Sequence, residues 1–328
     1  MAEAPALTRI GVFTSGGDAP GMNAAVRAVV RTALHFGLEV YAINRGYEGM
    51  MRNEIELMGR RSVSNIIQQG GTVIKTSRAP RFRTPEGRRF AYENLKTHGI
   101  EALVCIGGDG SFRGAIDLLK DFNVRIVGVP GTIDNDLYGS DFTIGYDTAV
   151  NTALDAIDKI RDTAQSHDRM FIIEVMGRHA GFIGLASGIG GGAEEIAIPE
   201  TTTDVDAICM RVRQRAVGGK TSLIMVVAEG DEAGGAMQLG ERVRETTGVD
   251  FRVCILGHMQ RGGRPSGADR LLSSRLGYES VKALLAGQTG VMVGEVNGQI
   301  AYTPFEEAVT KKKPVNPELI EMAAILSE

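Results

Sequence analysis

Residues 9–36 read RIGVFTSGGDAPGMNAAVRAVVRTALHF, and three successive pieces of that stretch decide the fold class. Residues 9–14 form a short apolar run with β-branched members, the pattern of a buried strand. Residues 22–36 repeat their apolar positions at helical spacing. Between them lies Thr14-Ser15-Gly16-Gly17-Asp18-Ala19-Pro20-Gly21, whose glycines let the backbone turn tightly where the helix begins. Strand, glycine loop and helix in that order are the repeating unit of a parallel α/β sheet.

The alternation continues outward. Apolar strand-like runs occupy 38–44, 102–106, 125–129, 170–175, 222–228 and 252–256, and helical periodicity marks 111–122, 147–164 and 204–217. The fold class is α/β, with doubly wound, mainly parallel sheets covered by helices on both faces. A late pair of runs, 291–296 and 299–303 around Asn297-Gly298, predicts a tight hairpin. The length of 328 residues suits two domains of about 100 to 200 residues each. The expectation is therefore two lobes, with the active site in the cleft between them.

In such sheets ligands bind beyond the carboxyl ends of the strands. The loop at 14–23 can hold an anion on backbone N–H groups and a helix N-terminus, although a plain glycine turn would also fit; it lacks the lysine of a P-loop. The next, Ile106-Gly107-Gly108-Asp109-Gly110-Ser111, places one carboxylate at a strand end, either for magnesium or as a helix cap. The third, Pro130-Gly131-Thr132-Ile133-Asp134-Asn135-Asp136, sets two carboxylates two residues apart. Phosphoryl transfer needs a metal to neutralise phosphate charge, a carboxylate to take the attacking hydroxyl's proton, and donors around the transferred group. The glycine string at 188–193 matches G-x-G-x-x-A only formally, because it follows a helix and opens onto Glu194 and Glu195.

Composition bounds the remaining classes. A hydrophobic fraction of 43%, a charged fraction of 23% and a formal net charge of −4 describe an ordinary globular chain and argue against a general nucleic-acid binder. No apolar run approaches the about 18 residues of a membrane span, and 1–8 has no signal-peptide pattern, which predicts a cytoplasmic protein. Cys105, Cys209 and Cys254 are widely separated and read as buried reduced thiols. His35, His98, His167 and His179 read as structural. The basic residues Arg81, Arg83, Arg88 and Arg89 could line a nucleotide entrance but read better as a solvated face, and Lys311, Lys312 and Lys313 read as an exposed bend.

Taken together, TSGGDAPGMNAA, GGDGS, PGTIDND, IEVMGRHAG and LGHMQRGG resemble the bacterial-type 6-phosphofructokinase family, in the same order and with similar intervals from about residue 9 to 287. The resemblance implies Mg²⁺-assisted transfer from ATP to fructose 6-phosphate in glycolysis. It implies ATP binding by Gly17, Arg78, Asp109, Gly110 and Ser111, and magnesium near Asp109 and Asp136. By the same likeness Asp134 is the general base, Thr132 a donor to the phosphoryl group and Arg178 a cation near the developing charge. Arg169, Arg252, His258 and Arg261 match residues that grip the sugar phosphate, and Met176, Gly177 and Glu229 match sugar contacts. In the family Arg169 and Arg252 reach a neighbouring subunit's site, which implies a homotetramer with shared active sites. A nucleotide lobe of 1–144 plus about 259–310 and a sugar-phosphate lobe of about 145–258 plus 311–328 follow from the likeness.

Pyrophosphate-using members tend to carry Asp and Lys where this chain has Gly110 and Gly131, so ATP is the expected donor. An effector site for ADP or phosphoenolpyruvate matches Arg27, Arg31, Arg60, Arg161, Glu194 and Lys220. Gly218 and Thr221 stand where regulated members often place lysines, which predicts a weaker or altered response. The alternatives are a pyrophosphate-dependent enzyme, a lipid or NAD kinase, and a catalytically inactive regulator that binds nucleotide and sugar phosphate. The sugar-phosphate strings argue against the second, and the intact acids against the third. A Rossmann dehydrogenase is disfavoured by the missing G-x-G-x-x-G.

Overall fold

The computed structural model describes residues 7–167, 169–217 and 222–327. Of these, the residues up to Ile133, Leu137–Asp147 and Arg261–Lys313 form one compact unit, and Asp134–Asp136, Thr148–Gln260 and those from Pro314 onward form a second.

The first unit begins with β1 (Arg9–Ser15), α1 (Met22–His35), β2 (Glu39–Ile43), α2 (Gly46–Met51), β3 (Ile55–Met58), α3 (Pro85–Thr97), β4 (Ala102–Gly107), α4 (Asp109–Asp121) and β5 (Arg125–Pro130). The second unit takes most of α5 (Tyr146–His167), then β6 (Met170–Val175), α6 (Phe182–Gly190), β7 (Glu195–Ala197), α7 (Val205–Val217), β8 (Leu223–Ala228), α8 (Ala236–Thr247) and β9 (Phe251–Ile255). The chain returns to the first unit with α9 (Gly267–Leu285), β10 (Val291–Val296), β11 (Gln299–Pro304) and α10 (Phe305–Thr310), and α11 (Pro317–Leu326) belongs to the second.

Among the described residues the first unit holds a seven-stranded sheet in the order β11-β10-β5-β4-β1-β2-β3. Its inner pairs are parallel, and only the edges β3 and β11 run antiparallel. The second unit holds a wholly parallel four-stranded sheet, β7-β8-β6-β9. The α/β class and the parallel character thus match the sequence reading. The antiparallel edge β3 went unanticipated because its four residues carry too short a pattern. The hairpin turns on Asn297 and Gly298 at φ 51 and 75, the left-handed pair that a two-residue turn demands.

The strands of the first unit are apolar on both faces because helices cover both. On one face Phe13, Leu103, Cys105 and Phe112 are fully buried, and the Phe112 and Phe305 rings stack at 5.0 Å. Gly128 on β5 makes room for that stack, since a Cβ there would lie 2.6 Å from both rings. Arg88 corrects the solvated-face expectation: it is 8% exposed, pairs with Asp121 at 2.5 Å and donates to the Arg83 carbonyl at 2.8 Å. Its partner sits 33 residues away, beyond any local pattern. In the lysine bend Lys311 and Lys312 are exposed as expected, while the Lys312 backbone bridges to Leu137 and half-buried Lys313 donates its Nζ to the Asp141 carbonyl. Cys105 and Cys209 are buried as expected, whereas Cys254 is half-buried. Among the described residues no helix is long and apolar enough to cross a membrane.

Candidate active site

In the first unit, register brings the glycine loops together. Ser15 pairs with Gly107 across β1 and β4, and Gly107 with Pro130 across β4 and β5, so three adjacent parallel strands end level. The helices that follow β1 and β4 begin just beyond, and strand order reverses between β2-β1 and β4-β5. That is the switch point at which open α/β sheets bind ligands. The Gly131 N–H donates to the Gly107 carbonyl at 3.0 Å, which closes the second loop on the third.

A hydrogen-bonded seam lays residues 69–76 across the first loop. Asn23, fully buried, donates to the Gln69 and Gly70 carbonyls at 3.1 Å each and accepts from Val73 N at 2.7 Å. Thr14 Oγ1 donates to the Lys75 carbonyl at 2.9 Å, and Thr76 Oγ1 to the Gly16 carbonyl at 2.8 Å. Arg78, two residues further, is exposed beyond this seam. Arg261 lies against the same loop, its Nη1 donating to the Asp18 carbonyl at 3.2 Å and sitting 2.5 Å from where a Gly17 Cβ would be.

In the second loop Asp109 opens α4, with the Arg113 guanidinium 4.0 Å away. A Cβ on Gly110 would meet nothing within 4 Å. Ser111 is 2% exposed, and its Oγ has no hydrogen-bond partner among the described residues. It lies against Gly107, where any Cβ would collide with it, and 3.4 Å from a Cβ placed on Gly16. The Tyr47 hydroxyl fixes the Ser111 carbonyl at 2.7 Å, and the Tyr47 ring stacks on Phe82 at 4.0 Å. In the third loop Thr132 is buried, and Thr143 Oγ1 donates to its carbonyl at 2.6 Å.

The second unit carries the remaining residues. Asp134 is 3% exposed, beside Asn135 at φ 54, and Asp136 is half-buried. The turn after β6 presents Met176 and Gly177 buried and Arg178 exposed, with Arg178 at φ 56. A non-glycine residue there is strained by about 1–3 kcal/mol unless its surroundings impose the conformation. Glu229 supplies part of that constraint: its Oε1 accepts from Arg178 N at 2.8 Å and Gly177 N at 3.4 Å. Arg169, Arg252 and His258 are exposed.

Of the effector residues, Arg27 and Arg31 stand one turn apart on α1, where burial and then the Arg31 charge lower the Arg27 pKa. Arg60 is exposed in a turn. Arg161 is committed internally, donating to the Gly191 and Gly192 carbonyls at 2.7 and 2.6 Å and facing Glu194 at 3.5 Å. Glu194 in turn accepts from Ile224 N at 2.7 Å. Lys220, with Gly218 and Thr221, lies outside the described residues. Sequence reasoning assigned no role to Asn23, Tyr47 or Gln260. Asn23 and Gln260 lie inside the quoted strings TSGGDAPGMNAA and LGHMQRGG, the one signal that could have found them.

A family model described as phosphofructokinase matches residues 9–284. The chain is 57% identical over 321 residues, 98% of its length and 100% of the relative's, to a Thermus thermophilus protein named ATP-dependent 6-phosphofructokinase 1. It is 53% identical over 319 residues, 97% of its length and 98% of the relative's, to Bacteroides thetaiotaomicron ATP-dependent 6-phosphofructokinase 2. Phosphofructokinase from Saccharomyces cerevisiae superposes with a TM-score of 0.87 at 38% identity over 98% of this chain, which spans 48% of the yeast chain. A pyrophosphate-dependent phosphofructokinase from Marinobacter aquaeolei shares the fold, with a TM-score of 0.83 at 24% identity over 98% of this chain and 91% of that one. Loops in one order, a match running through nearly every element and relatives alike over their full length lead to one assignment: the chain belongs to the phosphofructokinase family.

Proposed function

We propose that this protein transfers the terminal phosphoryl group of Mg·ATP to the 1-hydroxyl of fructose 6-phosphate, giving fructose 1,6-bisphosphate in glycolysis. The observation that carries the reading is the buried Ser111 Oγ inside the cradle of Gly16 and Gly107. A buried polar atom left without a partner costs about 1–3 kcal/mol, a cost that a phosphate oxygen bound in the glycine loops removes. The names of the full-length relatives support the donor and acceptor.

Gly17, Arg78, Asp109, Gly110 and Ser111 bind the nucleotide in this reading. Open space at Gly110 favours ATP. At Gly131 a Cβ would crowd Met22 and Ile106 at 3.0 and 3.1 Å, which disfavours a larger residue of the pyrophosphate type. Among the described residues no three His, Cys, Asp or Glu side chains gather as a metal cage. Magnesium carried on nucleotide phosphates needs only one or two carboxylates, and Asp109 and Asp136 suit that donor set. When bound, the metal neutralises phosphate charge.

Asp134 takes the proton of the attacking hydroxyl. Thr132 donates to the transferring group, and Arg178 offsets charge developing on it. Arg169, Arg252, His258 and Arg261 hold the 6-phosphate through paired donors, while Met176, Gly177 and Glu229 contact the sugar. The enzyme works as a cytoplasmic homotetramer in this reading, with ADP or phosphoenolpyruvate as effector near Arg27, Arg31, Arg60 and Lys220. Arg161 and Glu194 help shape that site through their internal pairing.

The deciding experiment measures fructose 1,6-bisphosphate formed from fructose 6-phosphate and Mg²⁺, with ATP and pyrophosphate side by side. Turnover with ATP alone is expected. Turnover only with pyrophosphate would reverse the donor assignment, and turnover with neither would remove the kinase reading.

A further inference from the structure

We infer that Gln260 is a positioning residue that couples the sugar-phosphate segment around His258 to the Met176–Gly177–Arg178 turn, an inference that rests on the kinase reading above. Gln260 is fully buried, unlike its exposed neighbours His258 and Met259. Both ends of its amide are engaged across the second unit. Oε1 accepts from Met176 N at 2.8 Å, and Nε2 faces the Ala149 carbonyl on α5 at 3.4 Å.

The consequence lies in the turn. Met176, Gly177 and Arg178 leave β6 with three successive backbone N–H groups pointing to side chains, the first to Gln260 and the next two to Glu229. Glu229 is exposed and matches a sugar contact, so its grip on the turn competes with its work on substrate. Gln260 touches no solvent and holds the start of the turn whether or not substrate is present. Since Gln260 lies two residues after His258 in one 3-10 turn, Gly257–Arg261, movement of that turn is transmitted to the backbone that aims Arg178.

Gln260→Met keeps the volume and removes both hydrogen bonds, leaving the Met176 N–H buried without a partner. Gln260→Glu keeps an acceptor for that N–H. With the full-length enzyme, the expected result for Gln260→Met is a rise of about tenfold in KM for fructose 6-phosphate, a several-fold loss of kcat and a KM for ATP within about twofold of the parent. Gln260→Glu is expected to recover most of the sugar-phosphate affinity. An unchanged KM for fructose 6-phosphate in Gln260→Met, an equal loss on both substrates, or equal losses in both variants with matched Tm would each overturn the inference. A parent enzyme without fructose 6-phosphate turnover would instead remove the function reading, before any variant is compared.

Discussion

Asp134 is the residue on which the proposed chemistry turns, and at 3% exposure it is shielded from bulk water. Asp134→Asn preserves shape and removes the base. The expected outcome is a fall in kcat of about 10² to 10⁴ with KM for ATP nearly unchanged, read from steady-state kinetics. Cys105 is the opposite case, a titratable group removed from chemistry by its surroundings. It is fully buried, and burial pushes its thiol from 9.0 up to about 12, with the Tyr47 hydrogen bond opposing. A thiol probe at mildly alkaline pH should therefore label half-buried Cys254 first and reach Cys105 and Cys209 only on unfolding, as mass spectrometry of digests will show. The folded-state pKa is raised, so the stability linked to Cys105 is intact below 9.0 and is lost as pH rises toward about 12. Cys105→Ala should flatten the decline of stability with pH across that window, measured by urea unfolding.

The elements place these residues through contacts of very different sequence range, which also decides what could be read in advance. Strand, glycine loop and helix recur within about thirty residues, so the sheet, the three loops and the Asn297-Gly298 hairpin were legible as local pattern. Arg88 looked solvated because Asp121 is 33 residues away, and Tyr47 looked like an ordinary core ring because its bond to Ser111 spans 64. Gln260 was silent for the same reason, 84 residues from Met176. The roles of Arg178 and Arg252 came from resemblance, since no period or spacing marks them. Packing between elements gives its own test at Gly128, where β5 passes beneath the Phe112–Phe305 stack. Gly128→Ala inserts a methyl 2.6 Å from both rings, which must separate. The expected cost is about 1–3 kcal/mol of stability, read from denaturant midpoints, with KM values altered less than the midpoint suggests.

At the scale of the whole molecule, the two units are woven from discontinuous chain, crossing at 133/134, 136/137, 147/148, 260/261 and 313/314. Three crossings fall within or beside the segments that carry Thr132, Asp134 and Arg261, so neither unit can be cut out as one continuous piece without losing site residues. Arg169 and Arg252 point the same argument beyond one chain. Both are exposed, and among the described residues Arg252 Nη1 donates to the neighbouring Phe251 carbonyl at 2.9 Å, a local bond that leaves other donors of its fork available to an anion. If those guanidiniums complete a partner's site in a two-fold assembly, a chain without the base and a chain without the arginine repair each other in one of the two sites of a mixed pair. Asp134→Asn and Arg252→Ala should each be nearly inactive at low fructose 6-phosphate. Dissociated and reassembled at equal amounts, half of the pairs are mixed, and about a quarter of the parent activity should return. Activity no greater than the mean of the two variants would mean that each chain builds its site alone, and sedimentation velocity on the same mixture would establish that reassembly had taken place.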